Sequence, residues 1–142
     1  MRVYLNIGSN QGDRKAIIGR AVALIARELS PCRMRLSSWY DSEPWGYDST
    51  EPYVNLGVLA DCPDRDPLRL LDAIQAIERA LAPDSPHRNP DGTYRDRRID
   101  IDIIDIDGIS LSTPRLTLPH PRAAARDFVM VPWRELIGAG DS

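Results

Sequence analysis

The period of the apolar positions changes repeatedly along the chain, and each change marks a predicted element. Residues 2–7 (RVYLNI) are rich in strand formers and stop at Gly-Ser-Asn, which reads as a first strand and its turn. Asp13 then stands where a helix wants an N-cap, and Ile18, Val22, Ile25 and Leu29 recur at helical spacing. That pattern predicts a helix to about Leu29 with one apolar stripe. Residues 33–40 (RMRLSSWY) read as a second strand and 53–62 (YVNLGVLADC) as a third. Between them 41–52 (DSEPWGYDSTEP) holds too much Pro and Gly for regular structure.

Asp66 as cap with Pro67 at the first helical position opens a second helix. Its core face is Leu70, Ile74, Ile77 and Leu81, while Gln75 and Glu78 fall one turn apart on a neighbouring polar face. From Pro83 to Asp96 the composition is that of a surface loop. An isoleucine-rich strand follows and reaches Asp107-Gly108, a two-residue hairpin signal. The chain ends with a short segment (RLTLPHP), a helical turn and a final stretch (FVMVPWREL). The order β-α-β-β-α-β with C-terminal additions predicts one α+β domain, residues 1–142, of the ferredoxin-like kind: an antiparallel sheet flanked by helices.

The isoleucine strand carries the chemistry. In RRIDIDIIDID (97–107), alternation sends Ile99, Ile101 and Ile103 to the core and Asp100 and Asp102 to the opposite face, roughly 7 Å apart. Two carboxylates so placed repel each other unless a cation neutralises them, and oxygen-only ligands suit magnesium, with manganese as a substitute. A solvated strand face with incidental acids fits the same pattern. The adjacent Ile103 and Ile104 shift the alternation, so Asp105 and Asp107 are assigned to the other parity, serving solubility and the turn. Arg97, Arg98, Arg115, Arg122, Arg126 and His120 gather around this strand in sequence and would suit phosphate oxygens; a basic surface patch is the plain alternative. Gly-Ser-Asn after the first strand could offer backbone N–H groups to a ligand, although it is neither a Walker A loop nor a dinucleotide fingerprint.

Composition narrows the partners. The 142 residues carry a net charge of −3, with 42% hydrophobic and 27% charged residues, an ordinary globular balance. That charge gives no reason to expect nucleic acid or an anionic membrane, and a single Phe argues against an RNA-stacking sheet. No apolar run approaches the ~20 residues of a membrane span, and the N-terminus reaches a polar turn too early for a signal peptide. Cys32 and Cys62 lack metal-ligand spacing and read as free thiols of a reducing cytoplasm.

The motifs NIGSNQGDR, SSWYDSEPWGY, PYVNLGV, DRRIDIDI and LTLPHPRAAARDFVMVP stand in the order and spacing of one family. From about Val3 to Leu136 the chain resembles the 6-hydroxymethyl-7,8-dihydropterin pyrophosphokinases of folate biosynthesis. The resemblance implies transfer of pyrophosphate from ATP to a reduced hydroxymethylpterin, using two magnesium ions with ATP; a monomer is the expectation, though the sequence does not fix the oligomeric state. It assigns Asp100 and Asp102 to the metal, with Arg97 beside them in catalysis and Arg88 as a candidate stand-in there. Gly8, Ser42, Glu43, Trp45, Tyr53, Asn55 and Phe128 fall on pterin-binding positions. Leu71, Gln75, Glu78, Arg97, Ile103, Arg115, Thr117, His120 and Arg126 fall on ATP-binding ones. The chain departs from the family where Gly-Arg-x-Arg usually follows the second helix, since Ala82-Pro83-Asp84-Ser85 stands there. Arg88 could replace one of those arginines, and Tyr94 a tryptophan usual before Arg97. Two readings stay open at this point: an active kinase with an altered loop, or a catalytically weakened pterin- or nucleotide-binding paralogue with a regulatory role.

Overall fold

A computed structural model describes residues 1–10, 13–42, 53–82 and 99–140. Strand β1 (Arg2–Ser9) leads into helix α1 (Arg14–Glu28), and β2 (Arg33–Leu36), β3 (Tyr40–Ser42) and β4 (Tyr53–Asp61) follow. Helix α2 (Pro67–Leu81), β5 (Asp100–Ile106), the short β6 (Leu111–Ser112) and β7 (Thr117–Leu118), a 3₁₀ turn at Ala123–Ala125 and helix α3 (Asp127–Gly140) complete the order. The main sheet runs β2-β4-β1-β5, with β3 also on β4, and every pairing is antiparallel. This is the predicted α+β, ferredoxin-like arrangement. Among the described residues no helix is long and apolar enough to cross a membrane.

Both helix starts form as their sequences dictate. The Asp13 carboxylate accepts from the Ala16 N–H and the Asp66 carboxylate from the Leu68 N–H, each supplying an acceptor that the first helical turn lacks. Ile17, Ile18, Ala21 and Ile25 of α1 and Leu70, Leu71, Ile74, Ile77 and Leu81 of α2 are buried. They pack on Val3, Leu5 and Ile7 of β1, Val54, Leu56, Val58 and Ala60 of β4, and Ile101, Ile103 and Ile106 of β5. Val22, expected on the α1 stripe, is only partly buried at the rim of this cluster.

The opposite face of the sheet has its own apolar cluster, Tyr4, Leu59 and Ile104 against Ala123, Val129 and Leu136. Helix α3 forms it, although the sequence pattern left the final stretch without an element. The Tyr4 ring stacks on Trp133, with centroids 5.1 Å apart, and its hydroxyl donates to the Val129 carbonyl at 2.8 Å. Burial raises the Tyr4 pKa far above its ordinary value, so the phenol stays protonated as that donor.

Three expectations about strands need correction. The second strand ends at Leu36 and resumes as β3 through Asp41 and Ser42, inside the stretch expected to be irregular. Leu36 pairs with Val58 but Tyr40 with Asn55, so one extra residue bulges between them. Ser37 bridges the gap: its N–H donates to the Gly57 carbonyl at 3.0 Å and its hydroxyl accepts from the Gly57 N–H at 2.8 Å. Second, the Asp107-Gly108 turn forms, with Gly108 at φ 78°. It does not close a hairpin on β5, because β6 pairs with β7 instead. Third, a register shift between Tyr4 and Leu5 leaves Ile104 as the extra residue on β5, so Asp105 lies opposite Tyr4. The bulge returns Asp105 to the face of Asp100 and Asp102 rather than the other one. There burial first, then Asp107, raises its carboxyl pKa above the ordinary value.

Two stability predictions follow from these contacts. A methyl group at Gly57 would lie 2.9 Å from both the Tyr4 hydroxyl and Pro132 Cβ, so Gly57→Ala should lower unfolding free energy by about 1–3 kcal/mol in urea titration. A raised Asp105 pKa means the ionised carboxylate destabilises the fold above that pKa, and the penalty vanishes in acid. Asp105→Asn should therefore raise the urea midpoint at pH 7, with the gain shrinking towards pH 4; a larger gain in acid would contradict this environment.

Candidate active site

The sheet face beneath α3 changes character along β1. Tyr4 lies under the helix, with Leu59 on β4 and Asp105 on β5 as its partners. One step on, Asn6 stands between Gly57 and Asp102; one further, Gly8 stands between Asn55 and Asp100. Tyr40 extends the latter row on β3, and Ser42 pairs with Tyr53 beyond it. Same-face neighbours thus run from Tyr4 and Leu59 under α3 to Asn55 and Asp100 beyond it.

Asp100 and Asp102 are half-buried, while Ile99, Ile101 and Ile103 are at most 4% exposed. The strand splits its side chains as the alternation requires. Gly8 is small for a geometric reason: a Cβ there would lie 2.9 Å from Asn55 Oδ1 and 3.3 Å from Tyr53 Cδ1. The amide of Asn55 and the ring of Tyr53 close over this gap. Asn55 is 2% exposed, and its Nδ2 donates to the Tyr40 carbonyl at 3.5 Å. Ser42 is a strand residue of β3; Glu43 and Trp45 lie outside the described residues.

A second group borders the open edge of β5. The Glu78 carboxylate of α2 accepts from the Ile101 N–H at 2.9 Å, and the His120 N–H donates to the Ile104 carbonyl at 2.7 Å. Arg115 donates to Asp72 at 2.6 Å and to the Gln75 side-chain oxygen at 3.2 Å, joining the loop between β6 and β7 to α2. Thr117 pairs with Ser112 in that small hairpin. Leu71 and Ile103 belong to the core beneath α1 and α2, with 9% and 3% exposure.

His120 links the two groups. Its Nδ1 accepts from the Arg122 N–H at 3.2 Å, so the proton of the neutral ring sits on Nε2. Burial lowers its pKa, Arg126 and Arg122 lower it further, and Asp100 opposes them. That set of influences puts His120, both arginines and an acid of β5 in one electrostatic neighbourhood. The Arg126 guanidinium lies over the Phe128 ring, 5.6 Å from its centroid. Phe128 is half-buried at the start of α3 and packs against the Tyr4 cluster.

The fold therefore brings Gly8, Tyr53, Asn55, Asp100 and Asp102 onto one face, with Gln75, Glu78 and Arg115 gathered along the neighbouring edge. Arg88 and Arg97 fall outside the described residues. Sequence reading passed over Asn6, Tyr40 and Asp72. Asn6 shares its parity with Gly8, and Asp72 precedes Gln75 by three on the polar face of α2, so both signals were there to be read. Among the described residues no three His, Cys, Asp or Glu side chains converge as a metal cage. Two aspartates alone fit a magnesium ion that takes its other ligands from phosphate and water, not a zinc ion.

A lowered His120 pKa means that protonation is easier in the unfolded chain, so stability falls as pH drops through the ordinary histidine value. Titration of the His120 ring by NMR should give a midpoint below 6.5 in the free protein. A midpoint above that value would mean that Asp100, not burial and the arginines, dominates.

The model of the 7,8-dihydro-6-hydroxymethylpterin-pyrophosphokinase family matches residues 4–138. A Porphyromonas gingivalis protein named 2-amino-4-hydroxy-6-hydroxymethyldihydropteridine pyrophosphokinase is 38% identical over 132 residues, 92% of this chain and 86% of its own. A Bacillus subtilis protein of the same name is 32% identical, covering 94% of this chain and 76% of its own. One from Methylorubrum extorquens is 34% identical, covering 95% and 82%. With the acid pair, the amide-lined face and the match along nearly its whole length, the chain belongs to the 7,8-dihydro-6-hydroxymethylpterin-pyrophosphokinase family.

Proposed function

We infer that this chain transfers the terminal pyrophosphoryl group of ATP to the hydroxymethyl oxygen of 6-hydroxymethyl-7,8-dihydropterin in folate biosynthesis. The pterin oxygen forms a bond to the β-phosphorus, the bond from that phosphorus to the α-bridging oxygen breaks, and AMP leaves while the hydroxyl proton is lost. The observation that carries this reading is the pair of cross-strand rows, Asp100-Gly8-Asn55 and Asp102-Asn6-Gly57, on one face of the sheet. They put acids for a cation beside an amide for a heterocycle.

Each remaining role is assigned on that basis. Asp100 and Asp102 hold magnesium, two ions with ATP, and bound magnesium supplies the neutralisation of phosphate charge. Asn55 offers both a donor and an acceptor to the pterin edge, Tyr53 and Phe128 flank the ring, and Gly8 and Ser42 contribute backbone. Glu43 and Trp45 complete that pocket on the sequence resemblance alone. Gln75, Glu78, Arg115, Thr117, His120 and Arg126 receive the nucleotide. Ile103 has its side chain in the core, so adenine meets it through backbone, and Leu71 offers only its narrow exposed edge. Arg97 and Arg88 belong to the phosphates on sequence grounds. Catalysis then rests on in-line positioning and charge stabilisation rather than on covalent help from the protein.

Residues 1–142 form one pyrophosphokinase domain on this reading, acting as a monomer on two small molecules, with no nucleic acid or membrane as partner. Cys32 and Cys62, both free, support a reducing cytoplasm as its compartment.

Incubation with ATP, magnesium and the reduced pterin should give pterin-dependent AMP, followed by chromatography. Binding of both substrates without AMP would instead mark a weakened paralogue. Asp102→Asn should cut kcat by about 10²-fold or more with the thermal midpoint retained. Full activity in that variant would remove the metal assignment.

A further inference from the structure

Helix α3 carries Pro132 in its interior. Proline has no N–H, so the carbonyl four residues earlier, that of Phe128, loses its ordinary helical donor. The structure supplies another from far along the chain. Asn6 Nδ2, on β1, donates to the Phe128 carbonyl at 2.9 Å. Asn6 is only 3% exposed, in the middle of an otherwise apolar central strand, where an amide is costly unless bonded.

The surroundings of this contact are equally specific. The next carbonyl of α3, Val129, accepts from the Tyr4 hydroxyl two residues before Asn6. Pro132 itself lands beside Gly57, the β4 partner of Asn6, since a Cβ on Gly57 would meet Pro132 Cβ at 2.9 Å. On its other side Asn6 pairs with Asp102 of β5. One buried amide therefore stands between the first turn of α3 and an acid of the site.

We propose that Asn6 is a positioning residue for pterin binding: its amide replaces the donor missing at Pro132 and thereby fixes the backbone of Phe128. The ring of Phe128 is then held at a set height over the sheet, in register with Asp102. The proposal rests on the pyrophosphokinase reading, in which Phe128 flanks the pterin. It makes Asn6 needed because Pro132 is present, and dispensable once residue 132 carries its own N–H.

The test is a double-mutant cycle on the full chain, with pterin binding followed by fluorescence and both KM values by AMP release. Asn6→Ala should weaken pterin binding by about tenfold, the effect of one lost hydrogen bond in a buried setting, with the KM for ATP changed by less than about twofold. Pro132→Ala restores an N–H at position 132, so it should bind pterin like the wild type, and the double variant should recover most of the affinity lost in Asn6→Ala. If Asn6→Ala does not fold, Asn6→Ser carries the same comparison. A variant that lowers thermal stability yet leaves the pterin KM unchanged, or a double variant with no recovery, overturns the proposal. A wild-type protein that binds no pterin at all would instead overturn the functional reading beneath it.

Discussion

Strand β1 is buried on both faces, and that double burial constrains everything around it. Val3, Leu5 and Ile7 are committed to the helix pair α1 and α2, so only the alternate positions are left for other work. Those positions are Tyr4, Asn6 and Gly8, and each meets a different demand: stacking under α3, bonding to its first turn, and leaving room for Asn55. A one-residue slip of β1 would exchange these sets, bringing apolar branches into the site and polar groups into the core. The site thus inherits its geometry from the same hydrophobic burial that stabilises the sheet.

The acids and bases are distributed by the same logic. Asp100 and Asp102 sit on a strand whose other face is isoleucine, which gives them stiff backbone without full desolvation. Burial and two arginines lower the His120 pKa and so favour its neutral, hydrogen-bonding ring, leaving positive charge to the guanidinium groups. Arg115 is oriented by Asp72 and Gln75; an exposed pair of this kind adds little stability but restricts the freedom of the side chain.

Local signals were readable in the sequence and distant ones were not. The caps Asp13 and Asp66 with Pro67, the apolar stripe of α2 and the facing of Asp100 and Asp102 need only neighbours within one turn or two. The bulge at Ser37 depends on Gly57 of another strand and does not show in its own segment; at Ile104 the doubled isoleucine marks an irregularity, but only pairing with β1 decides which face Asp105 takes. Helix α3 was the largest omission. Pro132 in a short apolar run reads as a breaker, and the groups that make it tolerable, Tyr4 and Asn6, stand 125 and 122 residues away from their acceptors. At the site, the family motifs gave residue identities, whereas the cross-strand rows required the register.

The outer edge of β5 also bears on how the chain meets other copies of itself. An edge strand with free amides and carbonyls is a template for a strand from another molecule. Here the Ile101 amide is taken by a carboxylate from α2 and the Ile104 carbonyl by the backbone at His120. At the opposite edge, β2 presents the exposed charges of Arg33 and Arg35. Both margins of the sheet thereby carry features that oppose the edge-to-edge stacking that seeds fibrils, and at β5 these come from Glu78 and the backbone at His120.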